Sequence, residues 1–385
     1  MNWPVQLRRV LVSKGLPTYS VIIEWENARL SELGRAGEML KQLYKQIMEV
    51  KYPRPEIIIL HDKDHVERQL IEQVLGEVSE LEAWPADIRI IATEGLNYYE
   101  QKNFGARQSS TDVIIFLDSD VIPERGWLVG LLQALQNPDI QVVCGNAYIS
   151  LESLYSKAFA LFWFFPLRSQ ESGLVRTTSD YSKANNIAFR REVFEAFQYP
   201  SLPTFRGQCG ALRRTLGDHG VDTFLQRGSR VSHPAPNGLR HFINRAVCTG
   251  YDMVLVHRPQ RSKRANSLAI SSKKWNWRHP RRSLKQYRRH LRRAQKQYRR
   301  HPRRALKQYR RDLRRSLKQY RALNQYRGDL HRSLKRVLQR YQHVQLGPVS
   351  VVGALGIGAC YYALVLVGVL LTIVRPELVR RHFSM

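Results

Sequence analysis

The chain has 385 residues, 43% of them apolar and 24% charged, with a formal net charge of +30 at pH 7. That length holds one large domain or two smaller ones, each able to bury a core. The charge is local and excludes a uniformly basic, nucleic-acid-coating surface: residues 261–340 hold 30 of the 62 Lys and Arg, opposed by Asp312 and Asp329, and leave the rest near neutral.

In chain order, "MNWPVQLRRVLVSKG" lacks the apolar core of a signal peptide. "TYSVIIEW" then predicts a buried strand and residues 30–50 a helix. "PEIIILHDKD" predicts a second strand, followed by a helix over about residues 65–81. "DIRIIATEG" is the third strand, residues 97–110 read as helical, and "DVIIFLDSD" is the fourth strand. Ile- and Val-rich strands without alternation, separated by helices, indicate a parallel sheet covered on both faces. Ligands of such sheets bind beyond the carboxyl ends of the strands. Polar residues fall there: Glu24, Glu26 and Asn27 after strand one, His61, Asp62 and Asp64 after strand two, Asp118 and Asp120 after strand four.

Alternate residues of a strand point to opposite sides, so Asp118 and Asp120 can divide two tasks. One can hold a sugar or base by hydrogen bonds while the other faces Mg²⁺ or Mn²⁺, hard cations that bridge carboxylates to substrate phosphates. Further on, the aromatic block "LYSKAFALFWFFPL" reads either as core or as an interfacial element dipping into lipid. Four cysteines, Cys144, Cys209, Cys248 and Cys360, stand far apart; their spacing fits a reducing compartment and argues against a zinc site.

From residue 281 an eleven-residue repeat runs through "RRSLKQYRRHL", "RRAQKQYRRHP", "RRALKQYRRDL" and "RRSLKQYRALN". As a helix it carries a Tyr and Leu stripe flanked by Arg, interrupted at Pro302. With almost no acids to pair across a coiled-coil seam, its partner must be anionic. A membrane surface is preferred to a plain soluble spacer or to nucleic acid because an apolar run follows: residues 349–374, 26 positions without a charge. As a helix it is about 39 Å long, enough to cross a bilayer.

The run "NYYEQKNFGARQSSTDVIIFLDSDVIPERGWL" resembles the core of the family-two nucleotide-sugar glycosyltransferases, which have the GT-A fold. Lys102-Asn103-Phe104-Gly105 is similar to the family's Lys/Arg-Asn-x-Gly helix, and Asp118-Ser119-Asp120 to its Asp-x-Asp motif. The resemblance continues through "SVIIEWEN", "PEIIILHDKD" and "ANNIAFRREVFEAF", covers about residues 18–250, and fades after "HPAPNGLRHFINRA". It implies a Rossmann-like α/β domain with a mixed, mostly parallel sheet. It also implies a nucleotide-diphosphate sugar donor, an acceptor hydroxyl on a glycan or lipid-linked carrier, and metal-dependent, inverting transfer.

Carried over, the resemblance sets Glu26 and Asp62 against the base and Asp118 at the base or ribose, with Asn27 and Lys102 in the same nucleotide-sugar site. Asp120 would bind the metal, and His233 would close the metal and diphosphate site. Asn185 and Asn186 sit where the family contacts the donor sugar, or else form a turn. Two departures stand out. The family's Pro-x-x-Asn is Glu24-Trp25-Glu26-Asn27 here, and its usual Glu-Asp base position holds Gln208-Cys209. An amide cannot act as a base, which leaves Asp180, Asp218 and Glu171 as candidates and Asp180 in front. Arg206 and Gln208 would orient phosphate or acceptor.

The expected organisation is a catalytic domain over residues 1–260, a basic amphipathic neck over 261–345, a transmembrane helix over 346–374 and a short tail over 375–385. The positive-inside tendency places the catalytic domain on the cytoplasmic side of the cell's inner membrane. Arg375, Arg380 and Arg381 beyond the span oppose that orientation, offset partly by Glu377. The competing expectation is an anionic-surface or nucleic-acid binder acting through its Arg/Tyr repeats, with a degenerate transferase domain.

Overall fold

A computed structural model describes residues 16–30, 33–78, 83–163, 165–177, 183–256, 337, 339–344 and 346–383. The eleven-residue repeats lie outside the described residues, as does Asp180. The first half follows the predicted alternation. β1 (Tyr19–Glu24) leads to α1 (Glu26–Leu30) and α2 (Leu33–Glu49), and β2 (Glu56–Asp62) to α3 (Arg68–Val78). β3 (Asp87–Thr93) leads to α4 (Tyr98–Gln108) and β4 (Val113–Asp118). These four strands pair in parallel in the order β3-β2-β1-β4.

Both faces of this half-sheet are apolar because both are covered. Ile22, Ile58, Ile114 and Phe116 enter one core, with Ala106 of α4. Val21, Ile23, Ile57, Ile59, Ile115 and Leu117 enter the other, with Met39, Leu40 and Leu43 of α2. Gly105 explains how α4 lies so close: a Cβ there would sit 2.7 Å from side-chain carbons of Ile22 and Leu60. The same helix starts on a reciprocal cap, Asn97 accepting from the amides of Tyr99 and Glu100 while Glu100 accepts from the Asn97 amide.

Beyond β4 the sheet changes direction. β5 (Ile122–Pro123), α5 (Trp127–Ala134), β6 (Val142–Ile149), α6 (Leu154–Phe162) and β7 (Leu174–Arg176) follow in sequence. β8 (Asn186–Arg190), α7 (Arg191–Phe197), α8 (Gln208–Asp218), β9 (Thr223–His233) and α9 (Gly238–Val256) complete this part. The order continues β4-β8-β6-β9-β5, with β8 antiparallel to both β4 and β6 and β7 added on β9. The mixed α/β sheet expected from the sequence is present, with its antiparallel pairings among the described residues as numerous as its parallel ones rather than mostly parallel.

The aromatic block is core: Phe159, Trp163 and Phe165 are buried. The apolar run forms α10 (Pro348–Val374), followed by α11 (Pro376–His382). Among the described residues α10 is the one helix long and apolar enough to cross a membrane. It does not stand apart, however. Ala354, Tyr361 and Val365 belong to the main core, and residues 340–385 form one compact unit with residues 1–258.

Candidate active site

In the parallel register Glu24 of β1 pairs with Asp118 of β4, so two carboxyl groups meet at the sheet's carboxyl edge. Asp118 is held from three sides. Lys102 Nζ donates to it at 2.7 Å, the Tyr98 hydroxyl at 2.8 Å and Asn27 Nδ2 at 3.3 Å. Lys102 is fully buried, its ammonium 4.8 Å from the Tyr98 ring centroid. The ammonium is tolerated there because it is paired. Glu24 accepts from Asn27 Nδ2 at 2.9 Å. Its burial, and then the adjacent Asp118, push its pKa well above the usual carboxylate range.

Strand two contributes next. Glu26 accepts from the Asp62 amide at 2.7 Å, which ties the end of β2 to the turn after β1. His65 Nδ1 lies 3.6 Å from an Asp62 oxygen. Asp120 sits in the turn after β4, and Arg35 clamps that turn in place. Arg35 Nε donates to the Asp120 carbonyl at 2.6 Å, and its Nη2 to the Ser232 carbonyl at 2.9 Å. The clamp joins Asp120 to the end of β9, where His233 follows. His233 Nδ1 lies 2.7 Å from the Pro234 carbonyl, a contact that assigns the proton to Nδ1 and leaves the Nε2 lone pair available. Burial lowers the His233 pKa, keeping the ring neutral.

Glu24, Glu26, Asn27, Asp62, Asp118, Asp120 and His233 all line a cavity of about 830 Å³. Basic residues also line it, among them Lys183, Arg206, His241, Arg245 and Arg380. Burial lowers the Arg206 pKa, and Asp252 offsets part of that. Among the described residues no group of three or more His, Cys, Asp or Glu side chains is arranged to hold a metal ion. A carboxylate and a neutral imidazole nevertheless fit a divalent cation that takes its other ligands from phosphate and water.

Several expected residues lie elsewhere. Lys102 stands behind Asp118 rather than in the cavity lining. Asn186 accepts from Trp127 Nε1 at 2.8 Å and donates to the Ser229 carbonyl at 3.2 Å, a link joining α5, β8 and β9. Its neighbour Asn185, in the turn just before β8, lines the cavity instead. Gln208 opens α8 and donates to the Thr204 carbonyl at 3.2 Å, while Cys209 takes the cavity position. Burial pushes the Cys209 thiol up, away from the thiolate a base would need. Glu171 pairs with Arg227 and Asp218 is exposed at the end of α8, so neither reaches the cavity.

Sequence reading missed Tyr98, His241, Arg245 and Arg380. Tyr98 lies one helical turn before Lys102, and His241 and Arg245 are four apart on α9, spacings that share a helix face. Nothing in the sequence pointed to Arg380.

A Rossmann-like half-sheet extended by antiparallel strands, with acids gathered over one cavity at the carboxyl edge, defines the class: a GT-A-type transferase fold. Residues 31–197 match the family model described as Glycosyl transferase family 2. N-acetylgalactosaminyltransferase 6 of Drosophila melanogaster is 32% identical over 145 residues, covering 37% of this chain and 20% of that protein. This chain thus matches about a fifth of that relative's length. The structure of GalNAc-T7 with UDP, GalNAc and Mn²⁺ is 16% identical, with TM-score 0.44 over 57% of this chain and 44% of that one. The mannosyltransferase of Pyrobaculum calidifontis, in complex with GDP-Man and Mn²⁺, is 15% identical, with TM-score 0.40 over 62% of each chain.

Proposed function

We propose that the protein transfers a sugar from a nucleotide-diphosphate sugar to the hydroxyl of a glycan or lipid-linked acceptor, with inversion, at a membrane. The observation that carries this reading is the convergence of Glu26, Asp62, Asp118 and Asp120, from three strand ends, on one cavity in a chain whose residues 31–197 match the family 2 model. Glu26 and Asp62 receive the base, and Asp118, fixed by Lys102 and Tyr98, receives the ribose. Asp120 and His233 are the residues that would hold Mg²⁺ or Mn²⁺, which would supply positive charge for a departing diphosphate. Arg206 adds a second positive group on the cavity wall.

The acceptor oxygen bonds to the anomeric carbon, the bond from that carbon to the diphosphate breaks, and a carboxylate takes the hydroxyl proton. Asp180 is the proposed base, since neither Cys209 nor Gln208 can serve. α10 provides the membrane contact, with the cavity on the cytoplasmic side and the basic repeats on anionic lipid.

The test is a screen of the full chain in detergent against a panel of nucleotide sugars, reading released nucleotide. Release with one donor, lost on chelation and restored by Mn²⁺ or Mg²⁺, is the expected result. No release with any donor, together with salt-sensitive nucleic-acid binding, would overturn the reading in favour of the repeats.

A further inference from the structure

α10 is long enough to cross a bilayer, but both of its flanks return to the same body. Before it, Arg340 donates to the carbonyl oxygens of Ala160 and Trp163, at 2.9 and 2.5 Å, and Val344 is buried. After it, Val379 is fully buried, Arg380 Nε donates to the Tyr251 hydroxyl, and Cys248 Sγ lies 3.1 Å from the Phe383 carbonyl. Between these points one face of the helix is docked throughout. A Cβ on Gly353 would meet Leu154, and one on Gly358 would meet Phe162. The Tyr361 hydroxyl is 3.2 Å from Thr249 Oγ1. Gly368 lies against the Val247 backbone, and Gly250 against the backbone of Val365.

The other face is bare and apolar. Val349, Val352, Leu355, Tyr362, Leu366, Leu370 and Ile373 are all exposed, at steps of three, four or seven residues. They trace one stripe along a helix of about 40 Å. Were α10 to cross the membrane, α6 and α9 docked along it would be drawn into the hydrocarbon, and with them Lys157, Arg240, His241, Arg245 and Asp252. Such groups are costly there.

We infer that α10 does not cross but lies lengthwise on the bilayer, its exposed stripe sunk into one leaflet and both flanks on the same side. Charge complementarity commits the stripe to anionic lipid rather than to a second copy. Arg340 precedes it, Arg375 and Arg381 follow it, and the residues before it carry the chain's excess positive charge. This placement also removes the conflict in the positive-inside count, since basic residues at both ends now face one compartment. The inference rests on the membrane contact proposed above and settles its form.

The experiment uses the full chain with an epitope tag at each end, expressed in cells from which sealed membrane vesicles of known orientation are prepared. Native Cys360, exposed on α10, carries an environment-sensitive fluorophore in protein reconstituted with phosphatidylcholine/phosphatidylglycerol vesicles. The expected result is that protease removes both tags from the same side and that lipid-borne quenchers reach the Cys360 label. Leu366→Glu with Leu370→Glu should reduce partitioning by about tenfold or more while nucleotide release persists. Tags on opposite sides would overturn the flat placement and leave membrane association standing. A chain that stays off vesicles, or forms a soluble dimer shielding Cys360 from quencher, would overturn both. Loss of nucleotide-sugar turnover with both tags on one side bears on the transferase reading alone.

Discussion

Asp118 and Lys102 form a buried ion pair whose partners are not interchangeable with neutral residues one at a time. Removing the carboxylate strands a buried ammonium, a loss of about 3–5 kcal/mol in comparable pairs. Asp118→Asn is therefore expected to lower the unfolding midpoint as well as donor affinity, measured by thermal melts and nucleotide titration. Glu24→Gln should do neither, because burial already favours the uncharged acid and the amide keeps an acceptor for Asn27. Asp120→Asn, in contrast, should leave the melting curve near wild type and abolish metal-dependent turnover; near-normal rates in Mn²⁺ would remove that carboxylate from the metal. Cys209→Ser should retain most activity, and Asp180→Asn should lose it, both read as nucleotide release. Asp252 supplies a pH signature. Burial pushes its carboxyl up to about 6, so the folded chain holds a proton that the unfolded chain, near pH 4, has released. Its contribution to stability is full below that lower value and is lost as pH rises through about 6. Asp252→Asn should flatten the slope of urea midpoint against pH over that window.

At the scale of elements, glycines set how closely neighbours approach. A Cβ on Gly250 would lie 2.2 Å from the Val365 carbonyl oxygen, and one on Gly368 would lie 2.3 Å from that of Val247. These contacts are with backbone, which cannot rotate aside. Gly250→Val is expected to part α9 from α10, lowering the melting temperature and exposing Tyr251 to iodide quenching; an unchanged melt would mean the helices re-seat. How much of this was legible depended on locality. The four parallel strands and the helices between them were readable, because a strand buried on both faces declares itself by an unbroken run such as "VIIFL". The meeting of Glu26, Asp62, Asp118 and Asp120 was readable for a related reason: parallel strands all end at one edge. Strand β8 was not, since its place between β4 and β6 is decided by partners 43 to 77 residues earlier in the chain. Arg245 and Arg380 on the cavity wall escaped for the same cause, with Arg380 brought to Tyr251 across 129 residues. Asn185 and Asn186 differ because one lies in the turn before β8 and the other opens the strand, a boundary that only the structure reveals.

For the molecule as a whole, the transferase domain and the apolar helix are one body rather than an enzyme on a tether. A chain cut after residue 258 would bare the core partners of Ala354, Tyr361 and Val365 and remove Arg380 from the cavity wall. Such a fragment is expected to aggregate or melt well below the full chain, as light scattering and calorimetry would show; a stable, active fragment would contradict the packing. The basic repeats make a separable contribution. Deleting residues 281–324 should weaken binding to anionic vesicles and flatten its salt dependence, because screening shortens to a few ångströms near 1 M salt. Nucleotide release in detergent should persist.

The docking of α11 on α9 also bears on how the protein is made. Tyr251 and Arg380 are 129 positions apart. At a synthesis rate of roughly 5–20 residues per second, the face of α9 that holds Val247 and Tyr251 waits roughly 6 to 26 s for its cover. During that interval an apolar helix surface stands open on a nascent chain whose earlier strands have already been made. A chaperone or the lipid surface itself must shield it, and conditions that stall translation inside the Arg-rich repeats would lengthen the exposure and favour aggregation at that face.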